Sequence, residues 1–395
     1  MLPKFILFLL ITTSVFSQQE MSRFSLKEAV DFALQNNSLS KNAARDVEIS
    51  KLQKWETTST GLPQIKAGIT YNNWLKQQIS LIPAEFFGGS PGQFSEITFG
   101  TKQTAMGMIE LKQLLFDGTY VVGVQGIKHF LDIANNVQEK TQLEIQRIIV
   151  DAYLGAIAAQ ANVRVLDENI NTLSKNVEEV HQLFRSGFGE EESVEQLQLT
   201  LTSLNNQLDY AKNMAELSHS VVKLLLGIPL DSPLELTDQL EGLVLKNLSM
   251  EEEDPGYANN IDLRIAENKI TTEELFYRLE KAKGLPSLTA FVNGAYMGNN
   301  DVFGFTDKDQ KWFGSAAFGV RVRIPIFSSF GRTASAQKAK ITLEQAKTAF
   351  DEARSKVYYE YEQAKNNYRL AIKKHFNTKD QLNLAEIGRA SCRER

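Results

Sequence analysis

Cysteine is almost absent: the 395 residues contain one, Cys392, which excludes a disulfide framework. Histidine is nearly as scarce. His129, His181, His219 and His375 lie far apart in helix-patterned stretches, without the spacing of metal ligands. No GxSxG, HExxH, Walker A or GxGxxG sequence occurs, so the familiar nucleophile, metal and phosphate signatures are missing and neither a catalytic site nor a cofactor is expected. With 43 basic against 48 acidic residues the chain carries −5, which offers no global basic field to nucleic acid. Beyond the N-terminus no segment supplies about 18 apolar residues in a row, so no membrane-spanning helix is expected.

The N-terminus itself follows a different rule. Lys4 precedes the apolar run Phe5 to Val15, and Ser17 ends it ahead of Gln18-Gln19-Glu20, the layout of a cleavable secretory signal over residues 1–17. No cysteine lies at the cleavage point, so no lipid anchor is indicated.

The rest of the chain repeats itself. Asn36-Asn37-Ser38-Leu39 matches Asn259-Asn260-Ile261-Asp262, and Gly61-Leu62-Pro63 matches Gly284-Leu285-Pro286, both at an offset of 223 residues. A period of that size points to internal duplication, not to a solenoid. Each copy holds a helical segment, an alternating-strand hairpin and a long heptad-patterned helix. Read in order, these are N-terminal helices over 18–60, a first hairpin over 61–116 and a long helical hairpin over 117–227. An irregular connection over 228–258, a helix over 259–284, a second hairpin over 285–327 and a second long helix over 328–386 follow, with an anomalous tail over 387–395. By analogy with the first copy, roughly 50 residues of turn and return helix would be needed to complete the second.

The hairpins alternate with period two. Ile65, Ala67, Ile69 and Tyr71 share one face against Lys66, Gly68, Thr70 and Asn72; Ile109 and Leu111 likewise oppose Glu110 and Lys112. In the last strand Ala316, Phe318, Val320, Val322, Ile324 and Ile326 oppose Ser315, Gly319, Arg321 and Arg323. An oily face backed by a charged one suits a membrane β-barrel, with Ile109, Leu111, Phe318, Val320, Val322 and Ile324 toward lipid and Lys66, Glu110, Lys112, Arg321 and Arg323 toward a wet lumen. A soluble sheet with one solvated face has the same period. Tyr71, Trp74, Tyr296, Trp312 and Phe313, clustered near the loop ends of the strands, favour the membrane reading, since they would form an interfacial girdle. The glycine and proline load around Pro83, Gly88-Gly89 and Ser90-Pro91-Gly92 marks an irregular loop within the first hairpin.

The helices are long. No proline interrupts Gly118 to Phe184, where Leu166, Ile170, Leu173, Val177, Val180 and Phe184 keep a four-three spacing, and such a helix would run about 95 Å. Val194, Leu197, Leu201, Leu204, Leu208, Ala211 and Ala215 continue the pattern after a break at Arg185-Ser186-Gly187-Phe188-Gly189, so an antiparallel coiled-coil hairpin is expected.

Four strands cannot close a barrel, because the smallest single-chain outer-membrane barrels use eight and open edges are not tolerated in lipid. Several copies must therefore share one barrel, and three would give about 12 strands.

Here the chain resembles the TolC-like outer-membrane efflux proteins. Ser25-Leu26-Lys27-Glu28-Ala29, Leu225-Leu226-Gly227-Ile228-Pro229-Leu230 and Ile324-Pro325-Ile326-Phe327, in that order, carry the resemblance. It implies an α+β membrane protein, a homotrimer whose hairpins build one barrel in the outer membrane of a Gram-negative bacterium. The helices would form a periplasmic tunnel that docks on an adaptor and an inner-membrane pump. It also implies that Arg185, Ser186, Gly187 and Phe188 occupy a tip where adaptor contact and closure occur, although a tight turn around a left-handed glycine explains the same residues. Glu190, Glu191 and Glu192 either ring the periplasmic mouth with negative charge or simply suit the positive end of a helix dipole. Arg321 and Arg323 would bias the lumen toward anions. The chain departs from the family in lacking a second tip. A soluble periplasmic coiled-coil adaptor remains the competing class, though such a protein should interrupt its coiled coil with a small lipoyl-like domain, and none is found.

Overall fold

The computed structural model describes residues 22–240, 242–243, 257 and 259–393; the signal segment and the acidic run Glu251 to Asp254 lie outside the described residues. The elements are β1 (Ser22–Phe24), α1 (Leu26–Asn36), α2 (Ser38–Ser59), β2 (Gln64–Asn73), β3 (Ile79–Pro83), β4 (Phe94–Thr98), β5 (Gln103–Asp117) and α3 (Gly118–Arg185). There follow α4 (Glu191–Leu226), β6 (Leu234–Leu236), α5 (Ile261–Ala282), β7 (Ser287–Asn300), β8 (Trp312–Arg323) and α6 (Gly331–Arg393). They fall into two compact units, residues 1–46, 136–261 and 358–395 in one and residues 47–135 and 262–357 in the other.

In the first unit Ser25 starts α1 with a reciprocal capping box. Its hydroxyl accepts the Glu28 N–H at 3.4 Å while the Glu28 carboxylate accepts the Ser25 N–H at 2.9 Å, so two orphan donors of the helix start are satisfied. The bonds from Ser25 hold the Glu28 carboxyl below its usual range. Along the expected seam Val194, Leu208, Ala211 and Ala215 are buried and Leu166, Ile170, Leu173, Val177, Val180, Leu197, Leu201 and Leu204 half-buried, between exposed neighbours, whereas Phe184 is exposed. A buried core forms where Ala29 and Ala33 of α1 meet Ile145, Ile149, Tyr153 and Ala156 of α3 and Val222 and Leu226 of α4. The Tyr153 hydroxyl lies 2.8 Å from the Phe24 carbonyl and 3.1 Å from Asp238, whose carboxylate also accepts the Leu26 N–H at 2.6 Å. Burial pushes that hydroxyl up to about 12, as expected where the charged form would lose water.

Two expectations are corrected here. The connection over 228–258 is not wholly irregular, since β6 pairs in parallel with β1, Ser22 opposite Leu234 and Phe24 opposite Leu236. Strands of three residues carry too little alternation to be read from sequence. Next, α6 continues through residues 387–393, set apart above as a tail. One stretch of α3 is apolar enough to cross a membrane by length and composition, but it does not run as 18 consecutive apolar residues, and Ile145, Ile149 and Tyr153 of α3 are core residues of this unit.

The second unit is built on a four-stranded antiparallel sheet in the order β2-β5-β7-β8. The 223-residue offset of the sequence recurs in its element bounds: α2 and α5 are both 22 residues long. Each begins and ends at the 223-residue offset, as do the first residues of β2 and β7. Gly61 follows α2 in a tight site, a Cβ there lying 2.2 Å from Cζ of Tyr120, whose hydroxyl donates to the Thr58 carbonyl at 3.2 Å. Inside the first hairpin the loop is more ordered than its composition suggests. β3 and β4 form a separate hairpin, and Pro83 is tolerated as the last residue of a strand in a two-stranded ribbon, where no further partner needs its missing donor. The last strand ends at Arg323, ahead of Pro325, so Ile324 and Ile326 lie beyond the ladder.

Candidate transport face and helical tip

Register decides which side chains share a face of the sheet. Lys66 lies opposite Glu110, Lys112 opposite Phe291, Thr289 opposite Arg321 and Ser287 opposite Arg323. Because directly opposed residues point the same way, all five predicted lumen charges fall on one face. Ile109, Leu111, Phe318, Val320 and Val322 fall on the other, joined by Ile65, Ile69 and Val292. That apolar face is open: Ile69 is 90% and Phe318 88% exposed, and Ile65, Ile109, Val292, Val320 and Val322 each more than half. Contiguous apolar surface of this kind is rare on a soluble monomer and marks an interaction face.

The charged face is graded in a way the sequence pattern alone did not reveal. Lys66, Glu110, Lys112, Arg321 and Arg323 all lie between the middle of the sheet and the strand ends that run into helices. Further along the same face the row Thr70, Met106, Met297 and Phe313 is uncharged. Within the charged band Lys112 is paired with Glu110 at 2.8 Å, and the Arg321 guanidinium stands 5.2 Å over the Phe291 ring, a cation–π distance. Phe291, which interrupts the polar alternation in sequence, earns its place by geometry. A Cβ added at Gly319 would lie 2.9 Å from its ring tip, so the ring covers an edge-strand glycine and supports Arg321.

Arg185, Ser186, Gly187 and Phe188 form a turn, as the left-handed glycine requires. Gly187 has φ 79°; its N–H donates to the Phe184 carbonyl and that of Phe188 to the Leu183 carbonyl, both at 2.9 Å. This is a Schellman closure of α3. All four residues are exposed, and Phe188, at 86%, is far more open than an aromatic side chain needs to be for a turn alone. Glu190 precedes α4 without a side-chain cap bond, while Glu191 and Glu192 occupy its first turn, exposed. The histidines stay apart: His129 meets the Asn268 carbonyl at 3.0 Å, and His219 meets Gln160, with burial first and Lys223 second lowering the His219 pKa.

No protein-family model matches the sequence, and no curated protein is similar to it. The fold, by contrast, is well represented among solved structures. CusC, whose crystal structures concern folding and transmembrane channel formation, superposes with a TM-score of 0.64 at 14% identity, over 85% of this chain and 73% of that one. The outer-membrane protein VceC of Vibrio cholerae gives 0.60 at 15% identity, over 85% and 76%. The Campylobacter jejuni CmeC outer-membrane channel gives 0.60 at 18%, over 85% and 68%. At such identities what is shared is backbone architecture, and the chain has the protomer fold of the TolC-like outer-membrane channels.

Proposed function

We propose that this chain is the outer-membrane channel of a tripartite efflux or type I secretion system in a Gram-negative bacterium. It is a passive, non-enzymatic duct for substrates driven by an inner-membrane pump. The observation that carries the reading is the sheet: four strands with two unpaired edges, β2 and β8, and an exposed apolar face. Unpaired backbone groups in lipid cost several kcal/mol each, so the edges must be closed by other copies. Since neighbours alternate in direction from β2 through β5 and β7 to β8, the β8 edge meets the β2 edge of a second copy antiparallel. Three copies then close an even-numbered barrel of about 12 strands.

The helices continue as a periplasmic tunnel, and the turn at Arg185, Ser186, Gly187 and Phe188 is the surface offered to a periplasmic adaptor, with Glu190, Glu191 and Glu192 at its mouth. Lys66, Lys112, Arg321 and Arg323, offset by Glu110 and by Asp117 in the row of Arg323, line the lumen where barrel meets tunnel and favour anionic substrates. The apolar face argues against the soluble adaptor alternative, which would leave it in water.

The expressed protein should fractionate with the outer membrane as a detergent-resistant, heat-dissociable trimer. Recovery as a soluble periplasmic monomer would sink the channel reading. Val320→Arg should abolish assembly while Ser315→Arg is tolerated, because an arginine facing lipid costs about 2–4 kcal/mol at the midplane; equal effects would reverse or remove the assigned faces.

A further inference from the structure

The loop joining β7 to β8 spans residues 301–311, and it lies across the apolar face of the sheet. Tyr71 on β2 and Trp312 on β8 sit at opposite edges of the same row, with only Ala105 and Gly298 between them. The loop fills that gap with two rings. Phe305 stands 5.9 Å from Tyr71 and 6.2 Å from Trp312, ring centre to ring centre, and Phe303 is 5.9 Å from Tyr71 and 5.8 Å from Phe305. The contacts are edge-on or tilted, the favourable arrangements for aromatic pairs. Gly298 fixes the side: a Cβ there would project from the apolar face and meet Phe305 at 3.3 Å and Trp312 at 3.3 Å. The loop therefore passes over that face and not over the charged one.

Hydrogen bonds hold it in this course. Asp301 accepts the Lys102 N–H at 2.9 Å, and Gln310 donates to the Lys311 carbonyl at 2.8 Å. Between them successive turns tie Asp307 N–H to the Gly304 carbonyl at 3.0 Å and Gln310 N–H to the Asp307 carbonyl at 3.2 Å. The product is a row of four rings spanning all four strands at the end of the sheet remote from the helices. Phe303 remains 67% exposed although a gap-filling ring would be covered.

We propose that the 301–311 loop is a membrane strap: it sets Phe303 and Phe305 into the acyl–headgroup boundary of the outer leaflet and leaves the channel mouth unobstructed. The occupant is lipid because the row is continuous, on the same face, with Ile69, Ile109, Val292 and Phe318, and because aromatic rings favour that boundary. The inference rests on the proposed outward orientation of the apolar face.

The test uses the full-length protein reconstituted in liposomes, in a background of Trp55→Phe, Trp74→Phe and Trp312→Phe. A single tryptophan is then introduced by Phe303→Trp or, as a reference for the apolar face, by Val320→Trp. Lipids brominated near the headgroup should quench the Phe303→Trp signal several-fold more than aqueous iodide does. If Val320→Trp is quenched by lipid and Phe303→Trp only by iodide, the strap is wrong while the orientation stands. If lipid quenches neither, the orientation fails and the strap with it. Native Trp312, kept while Trp55→Phe and Trp74→Phe are made, repeats the measurement without adding a ring, so poor assembly of the Phe303→Trp variant leaves the question decidable. In planar bilayers Phe303→Ser together with Phe305→Ser should leave single-channel conductance unchanged; an increase would show the loop to be a lid over the pore and overturn the strap.

Discussion

Two junctions, β5 to α3 and β8 to α6, solve the same problem, turning a β-strand into a long helix, with different chemistry. In the first, β5 runs into α3 without a gap. Asp117 accepts the Thr119 N–H at 2.8 Å and the Tyr120 N–H at 3.1 Å, so one carboxylate satisfies donors that a helix start leaves orphaned. In the second, β8 stops at Arg323 and residues 324–330 intervene before α6. Ser329 and Phe330 sit there in the left-handed region, φ 48° and 62°, which costs a non-glycine residue roughly 1–2 kcal/mol each. The two junctions share the direction of the chain and not the means. One junction uses a carboxylate cap; the other combines a strained bend with a longer cap bond, the Ser328 hydroxyl accepting the Arg332 N–H at 3.4 Å.

The same divergence appears at the glycines that mark the repeat. Gly61 and Gly284 occupy equivalent sites in identical Gly-Leu-Pro sequences, yet a Cβ at Gly61 collides with Tyr120, whereas at Gly284 it meets only the Lys281 carbonyl at 3.4 Å. Gly61→Ala should therefore lower the stability of the assembled protein by about 1–3 kcal/mol, the usual cost of overpacking, and Gly284→Ala should change it little. The thermal midpoint of oligomer loss in detergent separates the two; equal midpoints would mean that Tyr120 can swing aside and that the copies differ less than their packing indicates.

The next effect contrasts α3 with α6. Tyr153 is wholly buried among α1, α3 and α4, whereas from Asn366 to Gly388 in α6 every side chain but Ile372 is exposed. Tyr153→Phe keeps the ring but strips the hydroxyl from Phe24 and Asp238, and should cost about 1–3 kcal/mol by leaving buried acceptors short of a partner. Asn366→Ala should cost less than about 0.5 kcal/mol, as surface changes do. Hydrogen exchange at the amides of α1 reads the difference, since only the first variant should speed it.

What was legible in the sequence follows the length over which a physical rule repeats. The seam from Leu166 to Ala215 was readable because many positions obey one period, and the sheet faces because each strand alternates for ten residues or more. The 223-residue offset relates α5 to α2 and the start of β7 to that of β2, because Gly-Leu-Pro punctuates both segments, although the helix expected over 259–284 overruns α5 by two residues at each end. β1 and β6 stayed hidden: each offers three residues, and their pairing joins segments far apart in sequence. β3 and β4 stayed hidden behind Pro83 and the glycines between them, which signal a turn equally well inside a hairpin. The aromatic row was half visible. Tyr71 and Trp312 could be assigned to a girdle, but nothing in the order Val302-Phe303-Gly304-Phe305 says that the loop folds back across Gly298. At the tip, the glycine announced the turn, while the docking role proposed for it depends on a partner whose shape is not written in this chain.

The smallest effects bear most directly on the two junctions. Asp117→Ala should destabilise by about 1 kcal/mol, the typical value of a lost cap. At the second junction the sign reverses. Phe330→Gly removes a Cβ from a left-handed residue, which relieves roughly 1–2 kcal/mol, against about 0.5–1 kcal/mol for the added freedom of the unfolded chain. It also discards the contact between the Phe330 and Phe327 rings, whose centres are 6.0 Å apart. Phe330 is 75% exposed, so that contact is weak and the net change should be neutral to slightly stabilising. Ser329→Gly, with no ring to lose, should raise the thermal midpoint slightly more. If both variants instead lower it as Asp117→Ala does, the bend is held by interactions that outweigh its strain, and the second junction would be as firmly built as the first.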